Sequence, residues 1–267
     1  PQINIRLAVV IEISSNSARA VIAPDLGGAV MSFDCDGRDI LRRAPSHEAV
    51  AKDPREAACY PCVPWFSRLP GGLDFNGRHY ELAPTLTACD PDHALHGHGW
   101  TSAWAVAEKA KDRLACSFDY APSARGFPFS FYAVQTFRIH QDALRIDLTV
   151  FNTGDAPMPA GLGLHPFFPC HDDSEISFNG RKVTLATCNM DDSFSGWDGS
   201  ASVNSDQLAI ELASNAPILH LYAPQKSGFF CAEPVTHMPG RFGETVLNPA
   251  ESLNIFLEIS AAIKGAQ

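Results

Sequence analysis

Hydrophobic and polar residues alternate along most of the chain, which is the pattern of β-strands buried on one face. The alternation is clearest from Leu144 to Val150, where every second residue is apolar and the residues between them are Arg, Asp and Thr. Further strand-like runs occur at residues 19–22, 131–139, 218–222, 228–232 and 253–259. No long segment shows the helical spacing of apolar residues with proper caps, so we predict an all-β protein.

Tight hairpins are predicted at Asp36-Gly37, Asn76-Gly77 and Asn179-Gly180, because primed turns need positive φ at both central residues. The tetrapeptide Phe-Asn-Gly-Arg occurs twice, at 75–78 and 178–181. The residues around the two copies do not repeat, so recurrent hairpin chemistry explains them without a duplication. Short strands at regular intervals with no linker predict one domain over residues 1–267, a large antiparallel β-sandwich or a barrel.

Composition narrows the class of partner. The chain has 267 residues, 45% of them hydrophobic, and a formal net charge of -10. This charge argues against nucleic acid or an anionic membrane as a partner, since both are bound by clustered Lys and Arg. The apolar run at residues 7–11 is too short for a membrane span and lacks the features of a signal peptide, so we expect a cytoplasmic location.

The eight cysteines mostly stand singly in apolar strand-like runs, which favours buried free thiols. Cys59 and Cys62 form a C-x-x-C pair that is either half a zinc site or a redox pair in other proteins. In this sequence no further ligands at zinc-site spacing and no βαβ context accompany it, so an ordinary strand is the simpler interpretation.

Three histidines, His93, His96 and His98, stand within six residues beside Gly97 and Gly99. Neutral imidazoles at H-x-H spacing grip a metal ion in cupins, but a cupin places a carboxylate about four residues later, and the next acid in this chain is Glu108. Acid–base chemistry or sugar binding, metal binding and a structural turn therefore remain as alternatives, with the first favoured.

Two apolar segments each contain one titratable residue. His165 stands in Gly-Leu-Gly-Leu-His-Pro-Phe-Phe-Pro, where Pro166 favours extended backbone and holds the imidazole in place. Glu233 ends the run Gly-Phe-Phe-Cys-Ala-Glu-Pro, and a buried carboxylate must be paired, hydrogen-bonded or neutralised. Either residue alone also fits a structural role: a hydrogen-bonded core histidine or a solvated glutamate at a sheet edge.

Together these segments resemble the aldose 1-epimerase family, in particular its bacterial members with a Glu-Pro-Val strand. The similarity spans roughly residues 20 to 260, and five motifs occur in the family's order. They are Trp65–Gly72 with its hairpin at 75–82, Leu95-His96-Gly97, Leu164–Phe168, Cys231–Pro234 and Leu247–Glu251.

The resemblance implies an antiparallel β-sandwich with an open sugar cleft, and a mutarotase that interconverts the anomers of a sugar. It implies that Glu233 is the general base, that His165 is the general acid, and that His96 is a second imidazole at the ring oxygen. Arg68 is expected to contact sugar hydroxyls. Further expected sugar contacts are His93, His98, Trp100 and Phe167. No metal or other cofactor is implied, and the expected state is a monomer or homodimer.

The sequence departs from the family in places that bear on the substrate. His93 stands where the family often has Asn, and Ser67-Arg68 stands for its Asn-Arg. The family's hydroxyl-binding Asp has no obvious match, and Asp192 or Asp198 are the candidates.

These departures leave three rival hypotheses. The first is a hexose-6-phosphate epimerase, whose phosphate would need cations such as Arg55, Arg68 or Arg78. The second is an inactive sugar-binding module of the same fold. The third is a metal-dependent, cupin-like enzyme that uses His96.

Overall fold

The computed structural model describes residues 9–206 and 208–263. Its first strands are β1 Ile11–Ser14, β2 Ala18–Ala23, β3 Ala29–Cys35, β4 Arg38–Asp39, β5 Cys59–Cys62, β6 Arg68–Leu69, β7 Leu73–Phe75, β8 Arg78–Tyr80, β9 Ala94–Leu95, β10 Ala105–Lys109, β11 Arg113–Tyr120 and β12 Phe131–His140. The later strands are β13 Ala143–Asn152, β14 Met158–Pro159, β15 Gly163–Pro169, β16 Glu175–Phe178, β17 Arg181–Thr184, β18 Met190–Ser195, β19 Ser200–Asn204, β20 Leu208–Ser214, β21 Ile218–Ala223, β22 Phe229–Val235, β23 Val246–Leu247 and β24 Ser252–Ile263.

Helical structure in the described residues is limited to short pieces. One α-helix, α1, spans His47–Lys52, and 3₁₀ turns span Pro54–Glu56 and Gly99–Thr101. Ser46 caps α1 by accepting a hydrogen bond from the Ala49 N–H at 3.1 Å. No helix in the described part of the chain is long and apolar enough to cross a membrane.

Two large antiparallel sheets form the body of the molecule. The first sheet has the order β1-β2-β3-β5-β15-β22-β21-β18, with β4 paired to β3. The second sheet has the order β10-β11-β12-β13-β24-β20-β19-β16-β17. Side chains from both sheets, such as Phe33 from the first and Ile146 from the second, belong to one buried cluster. The two sheets therefore pack face to face as a β-sandwich, which confirms the predicted fold class.

The other face of each sheet has a different environment. In the second sheet β13 alternates strictly between buried and partly exposed residues, as its sequence predicts. In the first sheet β15 and β22 are buried on both faces. Their second face packs against segments between residues 44 and 100, in a separate cluster that includes Tyr60, Phe66 and Trp100.

The predicted hairpins are present. Asp36, Asn76 and Asn179 have φ of 47°, 50° and 45°, and each is followed by a glycine with φ above 70°. They join β3 to β4, β7 to β8 and β16 to β17. The two Phe-Asn-Gly-Arg copies thus close hairpins in different sheets, in agreement with the interpretation as hairpin chemistry.

Candidate active site

A row of polar residues crosses four strands of the first sheet on its second face. Tyr60 on β5 pairs with His165 on β15. The β15–β22 register pairs Gly163 with Val235 and Phe167 with Cys231, which places His165 opposite Glu233. Glu233 in turn pairs with His220 on β21. Cross-strand neighbours have Cβ atoms about 5 Å apart, so the register alone brings these side chains into contact.

The alternation of side chains along β15 and β22 explains why these residues face away from the central core. Leu164 and Phe168 pack between the sheets, so His165 must point to the opposite face. Phe230 and Ala232 do the same on β22, which turns Glu233 toward His165. Both predicted residues are thus in strands, and β22 continues beyond Glu233 to Val235.

His165 and Glu233 form a close, buried pair. His165 Nε2 lies 3.4 Å from Glu233 Oε1, and the Glu233 side chain is 1% exposed. Neither carboxylate oxygen, nor His165 Nδ1, has a hydrogen-bond partner among the described residues. Burial, with the negative charge of Asp191, raises the pKa of Glu233 well above its usual range. Burial, with His96 and His220 nearby, lowers the pKa of His165 well below its usual range.

His96 approaches the pair from the loop after β9. Its ring is 5.4 Å from that of His165, measured between centroids, and perpendicular to it. The Ser67 N–H donates to His96 Nδ1 at 3.1 Å, so the proton of the neutral ring is on Nε2. Burial is the main reason that the pKa of His96 falls to about 3. His96 is therefore a neutral hydrogen-bond donor rather than a cation.

The backbone at His96 and Gly97 is unusual and explains the glycine. His96 has φ of 55° and Gly97 has φ of 73°. A Cβ atom on Gly97 would lie 2.0 Å from the carbonyl oxygen of Val63. This close approach lets the same carbonyl accept the His98 N–H at 2.8 Å, which fixes the loop against the first sheet.

His237 holds the segment that supports His96. Its Nε2 accepts the Phe66 N–H at 3.0 Å, and its Nδ1 donates to the Met238 carbonyl at 2.9 Å. Phe66 also contacts His96, with 5.4 Å between ring centroids. No motif or pattern in the sequence singles out His237, so sequence reasoning missed it.

A further histidine, His220, positions a carboxylate at the edge of the row. His220 Nε2 lies 3.2 Å from Asp191 Oδ1, and its Nδ1 lies 2.7 Å from Ser193 Oγ. Burial lowers the pKa of His220, and the carboxylate of Asp191 opposes this shift. The neutral ring can then donate from Nε2 to Asp191 and accept at Nδ1 from Ser193.

Three arginines, Arg42, Arg55 and Arg68, lie beside these histidines and Glu233. Arg68 donates from Nε to Asp90 at 2.6 Å, and Arg55 pairs with Asp53 at 2.7 Å. Burial acts to raise the pKa of Asp90, but hydrogen bonds from Arg68 and His93 outweigh it, so the pKa falls to about 2.

Arg42 differs from the other two, because it forms no ion pair with a carboxylate in the described part of the chain. Its guanidinium carbon lies 4.1 Å above the Phe167 ring and 4.9 Å from that of Phe229. Its Nη2 donates to the carbonyl of Ala57 at 3.1 Å. Burial lowers the pKa of Arg42, which is the direction expected for a cation held out of water.

These groups surround a cleft with a volume of about 400 Å³. This volume suits one small organic ligand. The residues that line it are Arg42, Asp53, Arg55, Glu56, Tyr60, Phe66, Ser67, Arg68, Cys89, Leu95, His96, His165, Phe167, Asp191, His220, Tyr222, Phe229 and Glu233. Apolar rings such as Phe66 and Phe167 line it together with charged and hydrogen-bonding side chains.

The sequence-based candidates divide into two sets. Those that line the cleft are Glu233, His165, His96, Arg68 and Phe167. Those that lie outside the lining are His93, His98 and Trp100. His93 binds Asp90 at 2.9 Å, and His98 stacks on Tyr120 with 4.7 Å between ring centroids. Trp100 is buried beneath the cleft, 5.2 Å from the Tyr60 ring. The three histidines therefore point in different directions because the loop turns at His96.

Asp191, rather than Asp192 or Asp198, lines the cleft. Along β18 adjacent side chains point to opposite faces, so Asp191 and Asp192 cannot both face His220. Asp198 accepts hydrogen bonds from Ser200 in a turn instead. Of the arginines considered for a phosphate, Arg55 and Arg68 line the cleft, whereas Arg78 lies in the β7–β8 hairpin.

The C-x-x-C pair does not form a joint site. All eight cysteines fall within the described residues, and none forms a disulfide. Cys59 packs in the cluster between the sheets, whereas Cys62 packs on the second face. Residues three apart in a strand face opposite sides, so the two thiols cannot bind one ion.

The sequence profile of the aldose 1-epimerase family matches residues 9–193, which include Arg68, His96 and His165 but end before Glu233. The uncharacterized protein YphB of Escherichia coli K12 is 26% identical over 254 residues, covering 80% of this chain and 84% of YphB.

Solved structures share the fold. That of a candidate aldose 1-epimerase from Escherichia coli K12 has a TM-score of 0.84 at 23% identity, covering 97% of this chain and 100% of the other. The structure of galactose 1-epimerase from Lactobacillus acidophilus NCFM has a TM-score of 0.81 at 13% identity. The match covers 96% of this chain and 95% of the other.

Proposed function

The chain belongs to the aldose 1-epimerase family, and from that membership we propose that it interconverts the α and β anomers of an aldose by opening and closing the sugar ring. The observation that carries the proposal is the buried contact of 3.4 Å between His165 Nε2 and Glu233 Oε1 at the floor of the cleft. A proton donor and a proton acceptor side by side are what this reaction needs.

Ring opening moves two protons at neighbouring atoms. The anomeric hydroxyl loses its proton as the C1–O1 double bond forms, and the ring oxygen gains a proton as the C1–O5 bond breaks. Both oxygens are bonded to C1, so adjacent groups on one wall can serve them. Glu233 would take the proton from O1 while His165 gives one to O5. After rotation about C1–C2, closure on the other face reverses both transfers.

The environment of the pair fits this exchange of roles. The reaction needs one proton on the pair, and either residue can hold it at a given stage. Burial favours the neutral pair, because it raises the pKa of Glu233 and lowers that of His165. The neutral pair is the state that closes an open-chain aldehyde. Hydroxyl groups of a cyclic sugar would stabilise the charged pair that opens the ring.

The other cleft residues would bind and orient the sugar. His96 would donate from Nε2 toward the ring oxygen or the anomeric hydroxyl, since its Nδ1 is occupied by the Ser67 N–H. Arg68 and Asp191 would bind hydroxyl groups, and each is oriented by a partner, Asp90 and His220 respectively. Phe167 would pack on the apolar face of the ring. These contacts would restrict the orientation of the bound sugar before the reaction and thereby lower the activation barrier.

A second candidate, epimerisation of a 6-phosphorylated hexose, is favoured by Arg42. This guanidinium lines the cleft with no carboxylate partner among the described residues, and Arg55 and Arg68 lie on the same walls. A phosphate would supply the missing negative charge through bidentate hydrogen bonds.

One experiment tests both candidates. Anomer exchange is measured by NMR for a panel of free and 6-phosphorylated aldoses, with the uncatalysed rate subtracted. We expect exchange faster than buffer for at least one aldose, and a preference for phosphorylated sugars would select the second candidate. Glu233→Gln protein at the same concentration is the control. A wild-type rate equal to buffer across the panel would contradict both and favour a sugar-binding module without catalysis.

A further inference from the structure

The proposed reaction leaves the thiol of Cys231, beside the proposed catalytic pair, without a task. Cys231 is fully buried, forms no disulfide, and stands two residues before Glu233 on β22, so both side chains point to the same face. Ligand atoms of Cys231, His165 and Glu233 all lie within 4.8 Å of one another.

The donor atoms of His165 and Glu233 have the spacing of two ligands of a tetrahedral metal ion, and the Cys231 donor lies within 4.8 Å of both. Ligands about 2.0–2.1 Å from a tetrahedral zinc are about 3.4 Å apart. His165 Nε2 and Glu233 Oε1 have this separation, 3.4 Å. A thiolate, an imidazole and a carboxylate are the donors that zinc prefers, and three protein ligands with one open position are typical of zinc sites that face a cleft.

The donors are also free to bind. Neither oxygen of Glu233 has a hydrogen-bond partner among the described residues, although the side chain is 1% exposed. Such an unsatisfied buried group is rare in proteins and indicates a missing ligand. The sugar is one such ligand, but it offers nothing to the thiol. A divalent cation would satisfy the carboxylate and the thiolate together, and their two negative charges would balance it beside the guanidinium of Arg42.

We propose that Cys231, His165 and Glu233 form a binding site for a thiophilic divalent cation such as Zn²⁺, and that the bound ion blocks epimerisation. Binding forms metal–sulfur, metal–nitrogen and metal–oxygen bonds and releases the protons of the thiol and the carboxyl group to solvent. The ion occupies both groups that exchange protons with the sugar. The site is therefore inhibitory, and its blocking effect, though not the binding itself, rests on the proposed function.

Co²⁺ is the probe for binding, because a thiolate ligand gives it a charge-transfer absorption band that needs no activity assay. We expect the wild-type chain to develop this band with one equivalent of Co²⁺ and to lose it when Zn²⁺ displaces the cobalt. Cys231→Ala should abolish the band and weaken Zn²⁺ binding by on the order of 100-fold, at least as much as changes around metal ligands usually do. Cys116→Ala is the matched control, since Cys116 is equally buried but lies in β11 of the second sheet.

Activity supplies the second readout. Stoichiometric Zn²⁺ should inhibit anomer exchange by the wild-type and Cys116→Ala chains, whereas Cys231→Ala should keep its basal rate and resist Zn²⁺. Cys231→Ser, which preserves the side-chain volume, takes the place of Cys231→Ala if circular dichroism shows that the alanine variant is unfolded.

The inference fails if the wild-type chain gives no thiolate band, or if the band survives in Cys231→Ala. A chain that shows the band but epimerises no aldose would overturn the proposed function and leave the metal site standing. A chain that epimerises an aldose but shows no band would overturn the metal site and leave the proposed function standing.

Discussion

The two large sheets share a core but differ in what covers their outer faces. The second sheet turns its outer face to solvent, and charged residues there pair with one another: Arg145 lies 3.0 Å from Asp147 and 3.6 Å from Glu258. The central strands β15 and β22 of the first sheet are covered, and their outer polar residues His165 and Glu233 are buried. Polar groups cost little on a solvated face and much on a covered one, so those retained on the covered face indicate function.

A comparison of the depressions on the two outer faces also indicates that the candidate site lies on the first sheet. One on the second sheet has a volume of about 470 Å³ and contains Glu108, Arg113, Arg145 and Glu258. The cleft on the first sheet is slightly smaller, about 400 Å³. Size therefore does not distinguish them. Of the two, the cleft combines buried titratable side chains with shifted pKa values, which is the property expected of an acid–base site.

The largest effect that would separate the two sheets is the loss of the proposed catalytic pair. Glu233→Gln and His165→Ala should each lower kcat by about 10²- to 10⁴-fold, because each removes one proton-transfer group. The fold should persist, since Gln is isosteric with Glu and neither oxygen of Glu233 is hydrogen-bonded to a described residue. Anomer-exchange NMR gives the rate, and thermal unfolding monitored by circular dichroism checks the fold. If either variant turns over at the wild-type rate, the proposed proton-transfer role of that residue is wrong.

A core substitution in the second sheet should lower stability and leave kcat unchanged, the opposite of the result expected for the Glu233 and His165 variants. Leu148 on β13 is fully buried between the sheets. Leu148→Ala should lower the free energy of unfolding by about 2–5 kcal/mol, because it removes apolar contacts and leaves a cavity. Urea denaturation measures this change. The kcat of the folded fraction should match wild type, and a loss of kcat beyond roughly tenfold, or about 1.4 kcal/mol in the barrier, would mean that the second sheet also controls the cleft.

The smallest effect concerns pH. kcat/KM should require one proton on the pair, so it should fall at low pH when both groups are protonated and at high pH when neither is. The pKa of His165 is lowered and that of Glu233 is raised, which widens the plateau in both directions. We therefore expect no inflection near the usual pKa of histidine, about 6.5. An inflection there would show that His165 titrates as if exposed.

Local features of the fold could be read from the sequence. Strand alternation such as that of β13 and the three Asn-Gly or Asp-Gly turns depend on neighbouring residues, and the structure has them where they were predicted. Glu233 and His165 were also detectable, since each is a titratable residue in an apolar run. Their contact was not, because it depends on a register between β15 and β22, which lie far apart in the chain.

The all-β class and the turns thus follow from the order of the amino acids, and so do five residues that line the cleft: Glu233, His165, His96, Arg68 and Phe167. The packed fold was needed to select Asp191 over Asp192 and Asp198, and to bring His220 and Arg42 into the cleft. It also separated His96 from His93 and His98. The physical reason is the same in each case: strand register and the covering loops decide which face a side chain occupies, and both arise from contacts between distant segments.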